Sequence, residues 1–134
     1  MNHAEFLDQY EKIGKKALFL ANKAFREGLP AIEEELEDAT KFDDRDIFEY
    51  GIRFVIDECD GKIIEKILSN IIDQEQDVRA KVLKTIQKEA VLRIQEGMSP
   101  LTLRYLLNSY TGLSLKEDTV FIWSIQEGFD LFFS

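Results

Sequence analysis

Lys62-Ile63-Ile64-Glu65-Lys66-Ile67-Leu68-Ser69-Asn70-Ile71-Ile72, then Asp73-Gln74-Glu75-Gln76-Asp77, then Val78-Arg79-Ala80-Lys81-Val82, opens the stretch whose reading decides the fold. Ile64, Ile67, Leu68, Ile71, Ile72, Val78, Val82 and Ile86 return at three- and four-residue steps, which places them on one broad helical face running to Glu96. The middle of the stretch, Asp73 to Lys88, is largely polar. It is therefore either one long helix projecting from the core or a helical hairpin broken near Gln74–Asp77. A projecting helix would hold out an apolar stripe that wants a partner helix, and a homodimer is one way to supply it.

Working outward, Gly97 closes the stretch and Ser99-Pro100 opens the next helix, serine as the cap and proline at the first position. That helix carries Leu101, Leu103, Leu106, Leu107 and Tyr110 and ends at Gly112. Ser114 with Glu117 makes a capping box for a last helix through Trp123, and the apolar tail from Phe129 to Phe133 is expected to dock on the core or on a neighbour. On the other side, Asp60-Gly61 marks a turn, and Asp43 or Asp44 is expected to cap a helix reaching about Asp57. Its buried stripe is Ile47, Phe48, Ile52, Val55 and Ile56, with Phe54 alongside. Phe6, Tyr10, Ile13, Ala17, Leu20 and Ala24 define the first helix, stopped by Gly28. Pro30 then starts a short second helix, Ala31 to Glu37, whose glutamates favour a helix N-terminus.

These elements make an all-α protein, a compact bundle of about five to six helices in one domain over 1–134. With 134 residues the chain can bury a core unaided, and two prolines and seven glycines favour long helices over a turn-rich β fold. No apolar run nears the ~18 residues that span a bilayer, and Met1 to Glu5 lacks the pattern of a signal peptide, so the expectation is a soluble, cytoplasmic protein without membrane insertion. The net charge of −9 argues against nucleic acid as a partner. Residues 29–60 hold twelve acidic and three basic side chains and carry the whole imbalance. That segment is a solvated face or an electrostatic docking patch.

Catalysis finds little to work with. His3, the one histidine, sits at the chain's start, and Cys59 is the one cysteine, so neither a nucleophile–base pair nor a zinc cluster is expected. Glu33-Glu34-Glu35 and Asp43-Asp44 read as exposed helix starts rather than a water-poor acid–base pair. No calcium-loop pattern or glycine-rich phosphate loop is present. The expectation is a protein that is not an enzyme and needs no cofactor or metal.

Three stretches in order carry a resemblance. They are Ala24-Phe25-Arg26-Glu27-Gly28-Leu29-Pro30-Ala31-Ile32-Glu33; Gly51-Ile52-Arg53-Phe54-Val55-Ile56-Asp57-Glu58-Cys59-Asp60 leading into Ile63 to Leu68; and Ile94-Gln95-Glu96-Gly97-Met98-Ser99-Pro100. Over about residues 14–110 the chain resembles the cytoplasmic parts of the flagellar stator protein MotA family, relatives of ExbB and TolQ. That family's loop reads like Ala-Arg-Arg-Glu-Gly-Leu-Leu-Ala-Leu-Glu and Gly-Leu-x-Leu-Val-Val-Asp-Gly-x-Asp, and its later segment like Ile-x-x-Gly-x-x-Pro. The family's four membrane helices have no counterpart here, since the polar run Asp73–Lys88 stands where the second pair would be. The resemblance therefore implies a paralogue, extended by residues 111–134, that does not conduct protons.

In that family, charged residues of the first stretch engage the rotor's switch ring. Position by position, the second arginine falls on Arg26 and the glutamate on Glu33. The first arginine falls on Phe25, which loses charge and fork geometry together and is expected to pack in the core. The resemblance thus implies a non-catalytic interaction module for a flagellar rotor or stator component. Arg26, Glu33, Glu34 and Glu37 are its candidate partner-binding residues. The alternative is a self-associating scaffold or adaptor unrelated to motility, dimerising through the 62–96 stripe.

Overall fold

Asp60, Asp77 and Ser99 each stand one residue ahead of a helix, and each starts it by accepting a backbone N–H with its side chain. A computed structural model describes residues 1–36 and 46–113. Among them are α1 (His3–Glu27), a 3-10 helix (Leu29–Glu35), α2 (Ile47–Ile56), α3 (Gly61–Ile72), α4 (Val78–Glu96) and α5 (Pro100–Asn108). The architecture is all-α, and no strand occurs among the described residues. The predicted helix from Ser114 and the tail from Phe129 lie outside them, as do Asp43 and Asp44.

The long stretch is a hairpin of two helices, not a projecting one. Its polar centre is where the helix breaks, because those side chains satisfy backbone groups that a continuous helix would bond internally. Asp77 Oδ1 accepts the Ala80 N–H at 2.9 Å as the cap of α4. The Glu75 carboxylate accepts the Asp77 N–H at 3.1 Å and pairs with Lys84 at 2.9 Å. Lys84, then the Asp77 amide, hold the Glu75 carboxyl below its ordinary range. Most of the stripe expected to seek a partner is spent at home, with Ile64, Leu68 and Ile86 fully buried within the chain, while Val78 at the start of α4 stays exposed. That removes the reason for a homodimer through 62–96.

Helix α4 is the hub, packed against α1, α2, α3 and α5. Its C-terminal half shows why, since Ala90, Val91, Leu92 and Ile94 are all buried and together span a wide arc of the helix that several neighbours must cover. Helix α2 reaches it through Gly51, where an added β-carbon would lie 2.7 Å from Val91 Cγ2 and 2.8 Å from Cγ1. Glu49, almost fully buried beside this contact, lies 3.9 Å from Lys16 and 3.8 Å from Arg53, which compensate its charge. Across the bundle, the buried Tyr10 hydroxyl donates to Asn108 Oδ1 at 3.4 Å and ties α1 to α5.

Two sequence expectations are corrected. The α2 cap is Asp46, which accepts the Glu49 N–H at 3.1 Å. The helix begins later than foreseen because the Asp three residues before that amide has the capping geometry. The second helix is a 3-10 turn from Leu29, since Pro30 and seven residues favour the tighter form. In α5 only Leu103 and Leu107 are fully buried, while Leu101 and Tyr105 face outward one helical turn apart.

The end of α2 holds a residue under backbone strain. Cys59 N–H bonds Phe54 O at 3.0 Å and Glu58 N–H bonds Val55 O at 3.1 Å, the paired bonds of a Schellman cap. That cap requires a left-handed residue, and Glu58 supplies it at φ 61. The family pattern quoted above has glycine at this position.

Two stability predictions follow from these contacts. Gly51→Ala overpacks Val91 and lowers stability by up to about 2 kcal/mol, overpacking of ~1–3 less a helix-propensity gain of ~1. Urea unfolding of a double-mutant cycle with Val91→Ala should show favourable coupling, and additive losses would sink the contact's importance. Glu58→Gly should raise stability by about 0.5–1 kcal/mol, the left-handed penalty less glycine's entropy, and a fall in the urea midpoint would contradict it.

Candidate interaction surface

The last turns of α1 carry Lys23, Phe25 and Arg26, and the chain then turns at Gly28, φ 94, to lay the 3-10 helix against α1. Glycine is needed there because a side chain at that φ is strained. The turn is what assembles the surface, since it brings residues 33–35 beside residue 23. Lys23, its side chain 12% exposed, donates to Glu34 and, at 2.7 Å, to Glu35. Those hydrogen bonds, Glu34's first, hold the Lys23 ammonium above the ordinary lysine range.

Of the predicted binding residues, Arg26 and Glu33 are exposed at this corner, and neither makes an ion pair with another described residue. Glu34 is exposed but engaged by Lys23. Glu37 lies outside the described residues. Glu33 also lines a crevice of about 100 Å³ with Leu36, Arg53, Ile56 and Asp57. The first and second family-like stretches therefore meet here. The third joins the second at the far end of α2, where Gln95 Nε2 donates to Cys59 O at 2.8 Å.

Phe25 is not in the core. It is 60% exposed, against expectation. Ala24 sits on the buried stripe, the next residue is turned about 100° around the helix, and α1 ends two residues later. Phe19, 45% exposed, stands on the same side of α1 as Arg26, two turns earlier. The corner thus presents two aromatic rings, a guanidinium and an exposed carboxylate, a mix typical of protein interfaces. The Lys23 tie carried no signal in the sequence, because it depends on the reversal at Gly28.

Among the described residues, no group of three His, Cys, Asp or Glu side chains gathers as a metal site, and no helix is long and apolar enough to cross a membrane. His3 is exposed on the first turn of α1, while Cys59 is half-buried beyond α2.

No family model matches the chain, and no solved structure matches it. Among curated proteins it is similar to Motility protein A of Treponema phagedenis, 34% identical over 92 residues. The match covers 68% of this chain and 34% of that protein, so the chain spans about a third of its relative's length.

Lys23→Met should free Glu34 and Glu35 and loosen the 3-10 turn. Amide exchange at Leu36, whose N–H bonds Glu33 O at 3.1 Å, should then speed up while Ile64 and Leu68 stay protected. A raised lysine pKa stabilises below the ordinary lysine range and is lost as pH rises through the folded value. Wild type should therefore approach the variant's exchange pattern only in strong alkali, and an unchanged Leu36 in Lys23→Met would show that the tie does not hold the turn.

Proposed function

The chain is a relative of the motility protein A family, and from that relation we propose that it is a non-catalytic interaction module that docks on a protein of the flagellar motor. The docking face is the corner of α1 and the 3-10 helix. The observation that carries this reading is the exposure of Phe25 beside Arg26, with Glu33 across the turn. An exposed ring costs hydration free energy that a partner's apolar surface would recover, and Arg26 and Glu33 set the charge pattern the partner must match.

The substitution of phenylalanine for the family's first arginine shifts the contact from charge toward apolar burial. Phe25 becomes the anchor and Arg26 the orienting fork. Glu34 is taken by Lys23 and contributes little directly. The expected partner is a rotor component, because the charges carried over from the family belong to its rotor-facing stretch.

Titration of the purified chain against purified rotor switch proteins, and separately against stator subunits, tests the reading. Binding should weaken about 10-fold or more in Phe25→Ala and in the Arg26→Glu, Glu33→Lys pair, consistent with an interface anchor worth ~2 kcal/mol. Glu34→Gln should bind as wild type, and added salt should weaken binding only moderately. Binding retained by both variants would move the interface away from this corner. No binding to any motor protein would remove the motor reading.

A further inference from the structure

Two open hollows lie end to end along one face of α4. The first, of about 540 Å³, has Val78, Val82 and Thr85 as its floor, residues 73–76 of the α3–α4 turn as one wall and Tyr110 as the other. The second, of about 510 Å³, continues over Glu89, Leu92 and Glu96, walled by residues 60–65 at the start of α3. The six floor residues follow one another at steps of three and four, so the two floors are a single helical face. From Val78 to Glu96 that face runs for about 27 Å. Tyr110 links the two hollows electrostatically, since burial and then the Glu89 carboxylate hold its hydroxyl above the ordinary tyrosine range.

The two ends of this trough offer different chemistry. At the first, Val78 is 77% exposed and Tyr110 is 39% exposed, so apolar surface lies open. At the second, Glu89 stands apart from every other carboxylate of the trough. Asp60 accepts the Lys62 N–H at 2.8 Å, and Glu65, Asp73, Glu75 and Glu96 lie 3.8, 3.9, 2.9 and 3.3 Å from Lys88, Lys81, Lys84 and Arg93. Glu89 makes no hydrogen bond or ion pair with another described residue, yet its Oε2 is buried. One turn on, Arg93 Nε is also buried without an acceptor. Burying a carboxylate oxygen with no donor costs stability that nothing within the described chain returns.

The walls decide the form of an occupant. Helices α3 and α4 bond their own backbone groups internally, so the trough presents side chains alone. An extended peptide laid along it would leave its amides and carbonyls unpaired, whereas a helix satisfies its own. We propose that the trough seats one amphipathic helix of a partner protein, with an apolar side chain against Val78, Val82 and Tyr110 and a Lys or Arg against Glu89. Val82 and Glu89 stand seven residues apart on α4, so the two contacting side chains of a helix lying alongside also stand about seven apart. The seat uses none of the residues of the α1 corner, and a partner held there leaves that corner open.

A fluorescein-labelled, alanine-rich helical peptide of 18 residues, bearing one Leu and one Arg seven positions apart, is the probe, titrated with the full chain by anisotropy. It should bind at least about 10-fold more tightly than the same peptide with Glu in place of Arg. Glu89→Gln should narrow that preference to about 2-fold, and Val78→Glu, at an exposed position outside the core, should weaken binding of the Arg peptide. Phe25→Ala should leave it unchanged. In the free chain, Glu89→Gln should unfold at a urea midpoint equal to or above that of wild type, because no internal partner is lost. A lower midpoint would reveal such a partner and overturn the proposal. So would absence of binding, or a preference for Arg that survives Glu89→Gln. A dimer of the chain alone that Glu89→Gln dissociates in sedimentation would give the trough to a second copy instead.

Discussion

The absence of a β-carbon at Gly51 is the constraint on which the rest of the bundle depends. With Val91 methyls 2.7 and 2.8 Å from where that carbon would be, α2 comes within backbone reach of α4. The approach lets Ile52 and Val55 bury beside Val91 and Ile94 in one core. It also sets where α2 ends, and hence where Gln95 finds Cys59 O and where α3 starts back along α4. The 3-10 helix packs on both α1 and α2, so the surface corner with Arg26 and Glu33 inherits its position from the same contact. Close packing transmits such a constraint because interiors have little free volume to absorb it.

Seen this way, much of the family likeness is structural. Gly28 and Gly97 occupy positive φ, Gly51 permits a close approach, and Pro100 starts a helix. These positions preserve a backbone path. Side chains facing solvent at the α1 corner are under no such demand, which is how a phenylalanine can stand at Phe25 without disturbing the fold. Kinship over about a third of a longer relative thus speaks more firmly for the shared backbone than for a shared contact.

Helix starts were legible where a strong local signal stood ahead of a periodic run, as at Ser99-Pro100 and the Asp60-Gly61 turn. The α1 stripe was likewise readable, with Phe6, Tyr10, Ala17 and Leu20 buried as their spacing implies. The misreadings share a cause. The 3-10 form of Leu29–Glu35 and the burial assigned to Phe25 both sit at element ends. There periodicity runs out and the neighbouring element decides. Of the candidate site, Arg26 and Glu33 were readable as exposed charges, whereas Glu34 could not be known to be engaged by Lys23.

By itself, the sequence determined the helical class, the glycine stops, the Ser99-Pro100 helix start and the acidic bias of residues 29–60, since these depend on backbone preferences and charge within a few residues. Only the tertiary structure decided that the 62–96 stretch folds on itself and buries most of its stripe internally. It alone brought Lys23 to Glu34 and Glu35, and left Phe25 and Val78 uncovered. Those outcomes depend on which faces meet across turns at Gly28 and Asp73–Asp77. The geometry of such meetings is fixed by packing between distant residues and not by any local periodicity.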